Sequence, residues 1–84
     1  MKAKEFKEVN LRIAEGQPQY ETLPVFLDKQ DTTFPVTMCF ELNEAERKQV
    51  EETGEIWLTV LTFGNPFHPI AMSCLKPDKI KNNE

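Results

Sequence analysis

A chain of 84 residues that is 39% hydrophobic, with one Trp, one Tyr and six Phe, carries enough apolar material for one core, and its 29% charged residues do not imply global disorder. Its net charge of −4 argues against a general nucleic-acid binder, because phosphate contact needs a surplus of Lys and Arg on one face. No window approaches the ~20 apolar residues of a membrane span, and Met1 to Lys7 lacks the apolar run of a signal peptide, so the expectation is a cytoplasmic protein with no membrane contact.

The whole of 1–84 is expected to form a single small domain, with 76–84 a flexible tail. The first element is a strand in which Val9, Leu11 and Ile13 alternate with Asn10, Arg12 and Ala14, the period of an extended chain with one face on a core. Glu15 to Gln19 breaks that pattern with turn residues. A second strand follows over Tyr20 to Leu27, with Leu23, Val25 and Leu27 on one face. Pro24 removes a backbone donor from it, which predicts an edge position or a bulge.

Asp28 to Thr33 is polar and short enough for a hairpin loop. Phe34, Val36, Met38, Phe40 and Leu42 then alternate as the clearest amphipathic strand in the chain, placed centrally in the expected sheet. Asn43 can cap a helix, with Glu46 at the third helical position completing a capping box and Gly54 ending the helix after Thr53. Ala45 and Val50 are its thin apolar content, so it is expected to lie lightly on the sheet.

Glu55 to Phe63 is the most β-prone stretch. Ile56, Leu58 and Val60 fall on one face and Trp57, Leu61 and Phe63 on the other, which predicts a strand covered on both sides. Gly64 to Pro69 turns the chain, and Ile70 to Leu75 is expected to return as a final strand. The resulting order, β-β-β-α-β-β, is an α+β fold: a mainly antiparallel sheet of about five strands with one helix packed on one face.

Little in the chain points to catalysis. The one histidine, His68, has no Cys or second His at metal-ligand spacing. Ser73, Cys39 and Cys74 have only His68 as a conventional base, with no orienting acid nearby in sequence. No Cys-Xaa-Xaa-Cys pair is present, and both cysteines stand in apolar-rich segments that suggest buried, reduced thiols. The glycines are isolated and form no phosphate-cradling loop. Neither catalytic residues nor a metal or cofactor is therefore expected.

Binding is the better expectation. Trp57, Phe63, Asn65, Phe67 and His68 surround a proline-framed turn, where aromatic side chains give large contact area at low entropic cost. A domain with a two-faced apolar strand and one weakly apolar helix is short of cover, so a protein partner or a homo-oligomer, most simply a homodimer, is expected. Two other readings follow from other features. A nucleotide-like ligand could stack on Trp57 or Phe67 and meet charge at Arg12 or Arg47. The five glutamates of the stretch from Asn43 through Glu55, set against Arg47 and Lys48, could instead imitate nucleic-acid phosphates and inhibit a basic host protein.

The segment Glu51 to Ile70, with its Thr-Gly-Glu-Ile-Trp-Leu-Thr-Val-Leu-Thr-Phe-Gly-Asn-Pro-Phe-His-Pro run after a strand and a capped helix, resembles short uncharacterised bacteriophage and prophage proteins. The resemblance covers the latter half of the chain and includes no catalytic motif. It implies a viral or mobile-element origin, the cytoplasm of a bacterial host, and an accessory role through a host or phage partner.

Overall fold

The computed structural model describes residues 1–78. Among these residues it is an α+β structure of antiparallel strands followed by a helix, in the order β1 (Lys2–Lys4), β2 (Leu11–Ile13), β3 (Leu23–Leu27), β4 (Val36–Thr37), β5 (Cys39–Glu41) and α1 (Glu44–Thr53). The class matches the sequence expectation. The distribution of strands along the chain differs from it, because among the described residues all five precede the helix and neither 55–63 nor 70–75 joins a sheet.

The strands form two small sheets. β2, β3 and β4 lie side by side with β3 in the middle, and β1 pairs with β5. In the three-stranded sheet Leu11 stands opposite Val25, Ile13 opposite Leu23 and Val36 opposite Leu27. Side chains alternate across a strand, so these six apolar residues share one face. Val25, at its centre, is fully buried.

Pro24 explains why the sheets divide. Phe26 pairs with Thr37, and the Asp28 amide donates to the Pro35 carbonyl at 3.0 Å, so the even-numbered residues of β3 turn their backbone groups toward β4. Continuing that register would set Cys39 against Pro24, which has no N–H to give. The third strand stops at Thr37, and after Met38 the chain turns away to pair Cys39, Phe40 and Glu41 with Lys4, Ala3 and Lys2. The stretch 34–42, expected as one central strand, is thus two short ones. Strand β3 is central, yet at Pro24 it has the local edge that proline requires.

Two turns hold bulky residues in the left-handed backbone region. Thr33 donates to the Asp31 carboxylate from its amide (2.8 Å) and its hydroxyl (2.6 Å), and the Phe34 amide closes on the Asp31 carbonyl at 3.0 Å. Phe34 then takes φ 49°, a position usually given to glycine in a hairpin that ends in a bulge. The other is Phe63, at φ 53°.

The helix forms where local chemistry dictates. The Glu46 amide donates to Asn43 Oδ1 at 2.8 Å and the Asn43 amide to Glu46 Oε1 at 2.9 Å, a complete capping box. At the other end Gly54 adopts φ 66° and its N–H reaches the Val50 carbonyl at 2.7 Å. No helical residue is fully buried, and only Glu46 and Val50 are half-buried. The Met1 ammonium, just before β1, donates to Glu46 Oε2 and ties the helix start to the β1–β5 pair. Among the described residues no helix is long and apolar enough to cross a membrane.

Candidate interaction site

Between Gly54 and Lys76 the chain makes a long excursion without helix or strand. Both ends are held: the helix cap fixes one, and at the other Lys76 Nζ lies 2.9 Å from the Glu8 carboxylate, whose side chain is only 9% exposed. Of the expected tail 76–84, Lys76 is therefore anchored, while 79–84 lies outside the described residues. Loops longer than about 12–15 residues without structure of their own are uncommon in compact domains; when they occur they are either functional segments or linkers.

A tight turn stands in the middle of the excursion. The Asn65 amide donates to the Thr62 carbonyl at 3.0 Å, and the residues between them, Phe63 and Gly64, have φ values of 53° and 81°. Positive φ at both central positions is the mark of a type I′ turn, which joins the strands of a two-residue hairpin because its twist matches theirs. No strand ladder follows it among the described residues. In the register the turn sets, Pro69 would fall opposite Leu58 at a hydrogen-bonding position, where it can donate nothing.

All five candidate binding residues, Trp57, Phe63, Asn65, Phe67 and His68, are exposed. Phe63 and Asn65 belong to the turn itself, Trp57 stands on the segment entering it, and Phe67 and His68 on the segment leaving it. The exposure is extreme for large apolar side chains: Trp57 87%, Phe63 84%, Leu75 75% and Leu61 74%. Ile56, Leu58 and Val60 are covered further, at 51%, 54% and 46%. The cover expected on both sides of 55–63 is thus not formed: Ile56, Leu58 and Val60 are about half exposed, and Trp57, Leu61 and Phe63 lie open to water.

Sequence reasoning missed a second part of the apolar surface. Leu11, Ile13 and Val36, at the two flanks of the β2–β3–β4 face, are each 43% exposed. The alternation of Leu11 and Ile13 signalled a core-facing strand, and that signal gave no sign that its cover would be incomplete. The cysteines also depart from expectation, since Cys39 and Cys74 are free and exposed rather than buried.

Elsewhere the features are those of local structure. Ser73 Oγ donates to the Leu75 carbonyl at 3.0 Å and accepts from the Leu75 amide at 3.1 Å, which engages the hydroxyl in its own turn. Arg12 grips Glu5 through two bonds, Nη2–Oε1 at 2.6 Å and Nε–Oε2 at 3.1 Å, and this carboxylate raises its already high pKa. Two shallow depressions lie around β1, β5 and the helix start. One includes Lys4, Phe40 and Arg47, the other Met1, Lys2 and Glu46, and neither is lined by Trp57 or Phe67. Neither depression brings an arginine together with Trp57 or Phe67. Among the described residues no group of three or more His, Cys, Asp or Glu side chains is placed to hold a metal ion.

Comparison of the chain with protein-family models, curated proteins and solved structures gives no match.

Proposed function

We propose that this is a non-enzymatic accessory protein, of bacteriophage or mobile-element origin and acting in the cytoplasm of a bacterial host, that works by binding protein through the 55–75 excursion. The observation that carries this reading is the near-complete exposure of Trp57, Leu61 and Phe63 on one side of an excursion anchored at both ends. Apolar groups of this size in water are unfavourable by about 25 cal/mol per Å² of surface that a contact would remove. Aromatic clusters of this kind are also where binding energy concentrates in protein interfaces.

The test is recovery of bound protein from host cells, with tagged wild type compared against Trp57→Ala and Phe67→Ala. A defined binding protein, or a second copy of this chain, recovered with wild type and lost with both variants is the expected outcome. Equal recovery by all three would overturn the assignment of the site.

A further inference from the structure

The chain exposes 7491 Å², whereas a compact monomer of 9.7 kDa would expose about 5,100 Å². Its radius of gyration is 14.3 Å, against about 12 Å for a compact 84-residue domain. An obligate homodimer buries about 1,000–2,500 Å² on each protomer, so the excess of about 2,400 Å² is sufficient for such an interface. The chain also carries two separate open apolar surfaces. One is the apolar face of β2–β3–β4, open along Leu11, Ile13 and Val36; the other is the outer side of the excursion, with Trp57, Leu61 and Phe63.

We infer that the occupant of each is the other surface from a second copy: the 55–63 arm of one protomer lies on the β2–β3–β4 face of its partner, and the exchange is reciprocal about a two-fold axis. This rests on the reading of the excursion as a binding site and names its partner. Reciprocal exchange is the arrangement two-fold symmetry permits when the arm and its receptor are different surfaces of one chain. It also accounts for the two-faced character of the arm. Ile56, Leu58 and Val60 are already half-covered on their own protomer, which leaves Trp57, Leu61 and Phe63 to cover the partner.

The test combines sedimentation equilibrium with site-directed cross-linking in a background where Cys39 and Cys74 are replaced by serine. One variant carries Ile13→Cys on the sheet and another Leu61→Cys on the arm; both positions are solvent-accessible, so neither change should prevent folding. Sedimentation is expected to give a dimer that dissociates on dilution. A short bismaleimide added to the two variants mixed, unfolded and refolded together is expected to give a cross-linked pair containing one of each, and little of either variant joined to itself.

A dimer in which only Leu61→Cys joins itself would overturn the exchange in favour of arm-on-arm contact. A strict monomer whose arm amides exchange freely with solvent would overturn the exchange while leaving the arm available to a different protein. A strict monomer with protected arm amides, and an internal cross-link in the double variant, would overturn both the exchange and the binding site.

Discussion

Asn10 and Leu27 exchange two hydrogen bonds: Asn10 Nδ2 donates to the Leu27 carbonyl at 2.9 Å, and the Leu27 amide donates to Asn10 Oδ1 at 2.8 Å. Leu27 is paired with Val36 where its own backbone groups point away from β4, so a side-chain amide takes the place of a further strand residue. The Asn10 amide also reaches the Val25 carbonyl at 3.0 Å, which locks the register at one end of the β2–β3 pair. Asn10→Ala is expected to lower stability by about 1–2 kcal/mol, the sum of two net hydrogen bonds. Asn10→Asp, which can accept but cannot donate to the Leu27 carbonyl, should lose at least as much at neutral pH. Urea unfolding of the three proteins under identical conditions checks this, and an unchanged midpoint for Asn10→Ala would remove the bridge from the account of the sheet.

The turns at Phe34 and Phe63 separate strain from function. Each places a phenylalanine in the left-handed region, where an L-residue costs roughly 1–2 kcal/mol and asparagine is better tolerated. Phe34→Asn is expected to raise stability by about 0.5–1 kcal/mol, with self-association unchanged. Phe63→Asn creates Asn-Gly, the preferred pair for a type I′ turn, so the turn should tighten in the same way. Here self-association should weaken, by tenfold or more in Kd, because a large exposed aromatic side chain has been removed. Unfolding midpoints paired with sedimentation at several concentrations give both quantities, and a Phe63→Asn protein that associates as wild type would mean that this side chain is not a contact.

The helix start supplies a pH dependence with a definite sign. The Glu46 carboxyl is held below its ordinary value of 4.5, first by the hydrogen bond from the Met1 ammonium and then by the Asn43 backbone N–H. A folded-state value below the unfolded one makes the charged carboxylate stabilising above the unfolded value, and that contribution is lost as pH falls through the folded value. Glu46→Gln should therefore be less stable than wild type at neutral pH, with the gap narrowing as the solution is acidified past 4.5. Asn43→Ala removes the reciprocal cap bond and should cost about 1 kcal/mol at neutral pH. Denaturation midpoints for Glu46→Gln followed from neutral to acid provide the check; a gap independent of pH would assign the effect to packing rather than charge.

What the sequence made legible divides along how local its determinants are. Asn43, Glu46 and Gly54 determine the helix within a dozen residues of chain, and the capping box and left-handed cap stand where the spacing placed them. The hairpin loop after β3 was equally readable, since Asp28 and Asp31 bond to backbone groups two residues on. Strand β1 was not readable, because three residues containing two lysines carry no core pattern and the partner, Cys39–Glu41, lies far along the chain. The division after Thr37 depends on Pro24 meeting Cys39 in register, which no local window contains. For 55–63 the alternation implied a strand covered on both sides, and neither the strand nor the cover is formed among the described residues; a pattern cannot say whether the surface that covers such residues belongs to the same chain.

Trp57 reports directly on that last question. It is the chain's one tryptophan, so indole fluorescence has a single source, and at 87% exposure it should emit as a fully solvated indole wherever the protomer is isolated. Reciprocal arm exchange transfers the ring onto the Leu11, Ile13 and Val36 surface, which removes water from it and shifts the emission to shorter wavelength. The emission maximum should therefore move to the blue as protein concentration rises through the dimer dissociation constant, and the midpoint should coincide with that from sedimentation. Leu61→Asp, which places a charge on the same side of the arm, should keep the ring solvated at every concentration while leaving the helix signal in circular dichroism unchanged. Emission that is blue-shifted at the lowest concentration and independent of dilution would mean that Trp57 finds its cover within its own chain, and the arm would then complete a monomer.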